Sequence, residues 1–266
     1  MKHSEATFRV AIAHMAISPD IRENSSAIQN LMRQAVDQQC RLIQFPEGAL
    51  SGYCKTEISS WQNYDWSKLE AQIQDIRQLA RKLKIWVIVG TAAQVESKKP
   101  PRNSLLVISD KGEIVARYDK RFISHGELQG WYSPGKGAVT FEVDGLRFGL
   151  ALCLEVQFPE IFDEYYIQDV DGVLLSAYAN DPIFEVTART YASLYNYWVG
   201  FSVPSNQTPP LTSSLIGPDG YIQAISKRGM DSLAIGEINP NDERWDVPLN
   251  KAKPWRKIAR QGDIYK

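Results

Sequence analysis

The chain of 266 residues reads as an α/β protein, a layered sandwich built on mixed β-sheets. Two observations lead there. Apolar runs of strand length alternate with segments whose apolar residues recur every three or four positions, as βα units do. Three turn signals, Asp110-Lys111-Gly112, Asp144-Gly145 and Pro218-Asp219-Gly220, break that alternation with hairpins. No low-complexity linker or internal repeat divides the chain, so residues 1–266 are expected to form a single domain. A hydrophobic content of 44% is enough for a large core.

The elements follow in order. Residues 8–17 alternate as a strand. Ile28, Leu31, Met32, Ala35 and Val36 then mark an amphipathic helix ending near Cys40. Residues 41–45 form a short apolar strand closed by Pro46-Glu47-Gly48. Leu69, Ile73, Ile76, Ala80 and Leu83 mark a second helix. Residues 85–90 are apolar and β-branched throughout, the pattern of a central strand covered on both faces. Residues 103–109 and 113–118 flank the first hairpin turn, and residues 138–143 and 146–152 flank the second. A helix is expected at 159–168, a buried strand at 172–176, a helix at 184–195 and a strand at 198–203. Residues 211–216 and 221–225 flank the third hairpin turn, and 233–238 is the last strand before a polar tail rich in Lys, Arg and Trp. Residues 98–101, Lys98-Lys99-Pro100-Pro101, read as a surface loop.

Composition excludes several classes. A formal net charge of -1 supplies no basic field, so nucleic acid is not an expected partner. The three cysteines, Cys40, Cys54 and Cys153, are odd in number and scattered, without a CxxC pair, which favours a reducing compartment. The first apolar run is short and interrupted by His14, unlike a secretory or membrane-spanning segment. A cytoplasmic protein without membrane contact is the expectation, and the sequons at Asn24 and Asn206 read as chance matches. His3, His14 and His125 are too few and too scattered for a metal site. There is no G-x-S-x-G, P-loop, G-x-G-x-x-G or H-E-x-x-H motif.

Three strand ends remain as candidates for chemistry. Cys153 ends the apolar run 146–152 and precedes a turn into a helix whose first turn suits Pro159. Helix-terminal N–H groups there would lower the thiol pKa and stabilise developing negative charge. On this stretch alone the thiol reads equally as apolar filler or as nucleophile. Glu47 follows a buried strand, where partial desolvation prepares a carboxylate as a base; an ordinary loop glutamate is the plain alternative. Lys120 closes a hairpin strand in Tyr118-Asp119-Lys120, and such charge runs are commonly solvated. A Cys–His pair with His125 has little support in the spacing.

Taken together, these residues resemble the nitrilase, or carbon–nitrogen hydrolase, superfamily. The matching motifs are Phe45-Pro46-Glu47 with Gly52-Tyr53, then Tyr118-Asp119-Lys120, then Gly149 through Cys153 to Phe158-Pro159-Glu160. Further matches are Trp131-Tyr132-Ser133-Pro134-Gly135 and the stretch from Ser213 to Pro218-Asp219-Gly220. The resemblance covers nearly the whole chain and implies a four-layer αββα sandwich with two mixed β-sheets, assembled as a homodimer or a higher homo-oligomer. It also implies Glu47 as general base, Cys153 as nucleophile and Lys120 as stabiliser of the tetrahedral intermediate. Glu127 matches a second family glutamate that positions the lysine or the substrate. The implied reaction cleaves the C–N bond of a small-molecule amide through a Cys153 thioester, with the N–H of Leu154 helping to hold the oxyanion. No metal or organic cofactor is implied. N-carbamoyl or nitrile hydrolysis with the same residues, acyl transfer, and a weakly catalytic binding protein are the alternatives.

Departures from the family pattern bear on the substrate. Leu154, Glu155 and Gln157 stand where Tyr, Asp and Arg are frequent. Gln157 cannot form a charged bidentate pair, so a dicarboxylate-type substrate is disfavoured. Tyr195, before Asn196, replaces a glutamate and leaves helix packing and the pocket floor open. Tyr53, Trp131, Tyr178 and Asn180 occupy expected pocket positions, and their aromatic character suggests an apolar or flat acyl group.

Overall fold

Strand β1 (Phe8–His14) shows why this chain stacks sheets. Val10 and Ile12 pack on one face among side chains of a second sheet, while Ala11 and Ala13 pack on the other beneath helices. A strand buried on both faces needs apolar residues at successive positions. The same holds for β7 (Leu146–Leu152), where Phe148, Leu150 and Leu152 face the inter-sheet core and Ala151 faces the outer one. The structure, a computed structural model, describes residues 8–96, 99–208 and 210–262.

Two six-stranded mixed sheets result. In the first, the order is β12 (Ser232–Ile238), β1, β2 (Leu42–Gln44), β3 (Trp86–Ala93), β4 (Arg102–Ile108) and β5 (Ile114–Asp119). β1, β2 and β3 run parallel, and β12, β4 and β5 add antiparallel edges. In the second, the order is β11 (Ile222–Ile225), β10 (Ser214–Ile216), β9 (Trp198–Ser202), β8 (Gly172–Ser176), β7 and β6 (Thr140–Val143). Here β7, β8 and β9 are the parallel centre. Helices α1 (Ile21–Asp37) and α2 (Trp66–Leu83) cover the first sheet through Ile28, Leu31, Ile73 and Ile76. Helices α4 (Pro159–Ile167) and α5 (Ile183–Tyr195) cover the second through Phe162, Tyr165, Ala188 and Tyr191. The layers are therefore αββα, with three apolar cores between them.

Several boundaries differ from the pattern reading. The first strand stops at His14, and the strand expected from 211 begins at Ser214. The polar tail is ordered as a π-helical turn (Asp246–Ala252) running into α6 (Lys253–Arg260). Lys98 of the stretch read as a surface loop, and His3, lie outside the described residues. Among the described residues no helix is long and apolar enough to cross a membrane.

Tyr195 settles where its departure leads. It packs in an outer-layer stack with Tyr191 and Tyr197, and the Arg260 guanidinium lies 4.9 Å from its ring centre. Asn196 ends α5 in the left-handed conformation and donates to the Pro218 carbonyl.

A polar seam crosses the inter-sheet core just behind the strand ends. Gln44 Nε2 donates to Ser176 Oγ at 3.1 Å and to the Gly200 carbonyl at 3.2 Å. Ser176 Oγ in turn donates to the Phe45 carbonyl at 2.7 Å. These bonds pin the C-terminal end of β2 to that of β8, so the loops leaving the two sheets open onto the same space.

Candidate active site

Three connections bring the site together. Glu47 lies on the loop after β2, laid flat on β3: Leu50 N–H donates to the Gly90 carbonyl, and Ala92 N–H donates to Ser51 Oγ. Gly90 permits that approach, since a Cβ there would lie 2.1 Å from the Pro46 carbonyl oxygen. Lys120 follows β5, its N–H bonded to the Asn103 carbonyl at 2.8 Å. Glu127 sits in the single-turn helix α3 (His125–Leu128), whose capping box joins Ser124 and Glu127 reciprocally. Cys153 follows β7 and starts a tight 3-10 turn, Cys153–Gln157, with φ at 48°. A non-glycine residue there is strained, and such strain collects at functional sites.

The side chains converge in the buried interior. Lys120 Nζ donates to Glu47 Oε1 at 2.9 Å and to Glu127 Oε1 and Oε2 at 3.0 and 3.1 Å. Glu47 Oε2 accepts the Tyr178 N–H at 2.8 Å, and the Cys153 thiol donates to the Tyr178 carbonyl at 3.8 Å. Glu47, Lys120 and Glu127 are at most 1% exposed, and Cys153 is 8% exposed.

The thiol corrects one expectation. Burial pushes its pKa well above the usual range, and the Glu47 charge pushes further, while Lys120 and the Tyr178 backbone oppose them. The turn after Cys153 does not lower the pKa, because desolvation and a neighbouring carboxylate outweigh its dipoles. The Tyr178 peptide joins the two groups, its N–H on Glu47 and its carbonyl on the thiol. Burial disfavours the Lys120 charge, but Glu47, a Cys153 thiolate and Glu127 outweigh it and hold the ammonium well above its ordinary range. Burial also disfavours the Glu127 charge, yet Lys120 and the Ser124 bonds hold that carboxyl below its usual value.

The pocket candidates separate. Tyr53 and Tyr178 stack at 4.6 Å beside the cluster, and the Tyr53 hydroxyl donates to Glu127 Oε1 at 3.2 Å. Trp131 lies with Tyr53 around the small cluster of Cys54, Ala92 and Tyr132, its carbonyl accepting from Trp61 Nε1 and its ring edge-on to Trp61. Leu154 is half-buried directly after the thiol. Gln157 is exposed at the end of the turn, and exposed Asn180 donates to the Thr208 carbonyl at 2.8 Å, so neither joins the charged cluster. His125 contacts Gln129.

Three residues escape a reading from pattern alone. Asn103, at the start of β4, donates through Nδ2 to Glu47 Oε1 at 2.7 Å and to Glu127 Oε1 at 3.2 Å. Glu57 accepts the Tyr178 hydroxyl at 2.7 Å and the Tyr53 N–H at 3.0 Å, pinning the stacked pair. Glu155, noted only as a departure, is fully buried beneath the Cys153 turn. It accepts from Tyr118, Leu152 and the N–H groups of Arg121 and Phe122. No local pattern marks an asparagine at a strand start or a loop glutamate as a partner of residues far along the chain.

A buried thiol, a carboxylate joined to it through the Tyr178 peptide and a lysine between two carboxylates form a set suited to covalent acyl chemistry. The sequence profile of the family described as Carbon-nitrogen hydrolase matches residues 9–244, which includes all four of these side chains. The chain belongs to the carbon–nitrogen hydrolase family. Its similarity to curated members is distant. It is 23% identical over 180 residues to "Deaminated glutathione amidase" of Yersinia enterocolitica, covering 63% of this chain and 62% of that protein. It is 23% identical over 168 residues to human "Omega-amidase NIT2", covering 60% and 59%. The matched stretch thus spans about three-fifths of these two relatives, while the zebrafish Omega-amidase NIT2 aligns over 97% of this chain and 96% of its own length at 22% identity. Among solved structures, an amidase from Nesterenkonia superposes with a TM-score of 0.79 at 18% identity, covering 94% of this chain and 97% of that one. A variant of it that shows covalent addition of the acetamide moiety of fluoroacetamide at the active site cysteine gives 0.80 at 18% identity, covering 96% and 97%. These superpositions bear out the αββα architecture.

Proposed function

We propose that this family member is an amidase that hydrolyses a small, uncharged carboxamide through a thioester on Cys153. The observation that carries the reading is one buried thiol that shares the Tyr178 peptide with Glu47, itself bonded to Lys120. Glu47 takes the thiol proton as sulfur attacks the carbonyl carbon and its π electrons move onto oxygen. Lys120 and the Leu154 N–H meet the resulting oxyanion; one such donor is worth about 3 kcal/mol in related sites. The tetrahedral intermediate collapses, the C–N bond breaks, and Glu47 returns its proton to the departing nitrogen. Water then attacks the thioester, giving its proton to Glu47, and the carboxylic acid leaves as the thiol is restored. These steps call on no metal or organic cofactor.

Glu127 holds Lys120 in place, and the stacked Tyr53–Tyr178 pair with Trp131 offers flat apolar walls to the acyl group. Gln157, exposed where an arginine is frequent, supplies no cation for a distal carboxylate. The relatives' omega-amidase naming is therefore not carried over to the substrate. The three free, buried cysteines support a reducing, cytoplasmic setting. Exposed Ile183, Val186 and Leu194 of α5, with Trp255 and Ile258 of α6, support self-association of a single-domain chain.

A panel of neutral aliphatic and aromatic carboxamides, alongside mono-amides of dicarboxylic acids, tests this by ammonia release. Turnover of neutral amides that falls by about a thousandfold or more in Cys153→Ala is expected. An acyl mass increment on Cys153 should appear in the intact mass of wild-type protein quenched in acid during turnover. Wild-type rates that persist in Cys153→Ala would overturn the reading.

A further inference from the structure

Two carboxylates and one ammonium make an electrically unbalanced cluster. Glu47 and Glu127 both bind Lys120 in a site at most 1% exposed, so one negative charge is left over in a poorly solvated place. Like charges at this spacing ordinarily share a proton, and one carboxylate then ceases to be a base. The Asn103 side chain lies between them. Its amide carries two N–H donors, and Nδ2 reaches Glu47 Oε1 at 2.7 Å and Glu127 Oε1 at 3.2 Å. The flipped amide would point its carbonyl at two carboxylates, so the assignment of nitrogen follows from the chemistry of the partners.

We propose that Asn103 is a positioning residue that keeps Glu47 and Glu127 ionised together and both aimed at Lys120. The inference rests on the reading of Glu47 as the base for Cys153. Asn103 is suited to the task because it is fixed independently. It is 1% exposed, lies in register with Ala92 of β3, and lends its carbonyl to the Lys120 N–H at 2.8 Å. One residue therefore contacts Glu47, Glu127 and Lys120 at once. The remaining groups facing the two carboxylates do not substitute for it. The Tyr178 N–H serves only Glu47 Oε2, the Ser124 N–H serves only Glu127 Oε2, and the Tyr53 hydroxyl serves only Glu127. Cys54 and Tyr132, also close to both carboxylates, are held neutral by burial.

The test is the pH profile of kcat/KM for the wild type, Asn103→Leu and Asn103→Asp, with thermal melting to verify folding. Leucine keeps the volume and removes both donors, and aspartate puts a third carboxylate beside the other two. The acidic limb is expected to move to higher pH by about one unit in Asn103→Leu and by more in Asn103→Asp. The deficit in kcat/KM should accordingly shrink from about tenfold or more on that limb toward recovery in alkali, with KM within about twofold of wild type. A loss equal at every pH would show a structural role only and overturn the proposal. Should Asn103→Leu fail to fold, Asn103→Asp decides. Should the wild type hydrolyse no amide, the functional reading fails, and the Asn103 role is then judged on iodoacetamide alkylation of Cys153, followed by intact mass across pH. An acid limb in that rate that stays at the wild-type position in both variants would equally overturn it.

Discussion

Cys153 is held as a thiol and strained in its backbone. Three buried cysteines therefore differ by their surroundings. Burial lifts Cys40 to about 11 and, with the Glu127 and Glu47 charges, Cys54 to about 12. Cys153 differs from these two in sharing the Tyr178 peptide with Glu47. We expect iodoacetamide at about pH 7 to label Cys153 first in the native protein. Glu47→Gln should slow that labelling by about a hundredfold, the scale of general-base assistance. Equal labelling of the three cysteines, or no effect of the substitution, would refute a base role for Glu47. At this scale the sequence shows Cys153, Glu47 and Lys120 as strand-end residues and, through family likeness, Glu127. Asn103 and Glu57 stay hidden because their partners lie far along the chain, Glu47 being 56 residues from Asn103 and Tyr178 being 121 from Glu57.

The elements that carry these side chains are held by a few buried bonds. Glu155 joins the turn after β7 to the segment after β5, accepting from Tyr118 and the Arg121 and Phe122 N–H groups on one side and from the Leu152 N–H on the other. Cys153 and Lys120 are thereby fixed relative to one another by a residue outside the charged cluster. Glu155→Ala would leave several buried donors without acceptors, at about 1–3 kcal/mol each. We expect an overall loss of about 3 kcal/mol or more in urea unfolding, with lowered turnover in the folded fraction. A loss below about 1 kcal/mol would show that water replaces the carboxylate and that the linkage is unimportant. Central strands were legible because burial on both faces imposes an unbroken apolar run. The tail was not, because α6 is held by contacts its own pattern does not announce. Arg256 donates to the Ser193 carbonyl and Asn196 Oδ1, and Arg260 donates to the Leu194 carbonyl and lies over Tyr166 and Tyr195.

Across the whole molecule, polar groups between the sheets set their alignment. Besides Gln44 and Ser176, His14 at the end of β1 donates through Nδ1 to the Val203 carbonyl at 2.9 Å, and Ser202 and Ser213 both donate to the Ala13 carbonyl. Burial lowers the His14 pKa, opposed by the Val203 bond and by Asp231. The unfolded chain therefore takes up a proton near its ordinary value of 6.5, whereas the folded chain resists until a lower pH. His14 thus leaves stability intact above that value and erodes it as pH falls through the interval below. Glu155 and Asp171, whose carboxyls burial raises, act in the opposite direction over acidic pH. The measurement is accordingly a difference: unfolding of the wild type between about pH 7.5 and pH 5 should lose stability more steeply than that of His14→Gln. Parallel curves would show that His14 protonates equally in both states.

The amino-acid order by itself determined the alternation of strands and helices, the three hairpins and the strand ends on which chemistry could sit. Burial leaves a periodic mark in local sequence, and tight turns demand particular residues at particular places. The meeting of Glu47, Lys120, Glu127 and Cys153, the cradle of Asn103 around the carboxylates, and the raised thiol pKa came from the closed sandwich. Hydrogen bonds between distant strand ends and the desolvation of charge arise only when separate layers pack, and neither has a period that a chain can display.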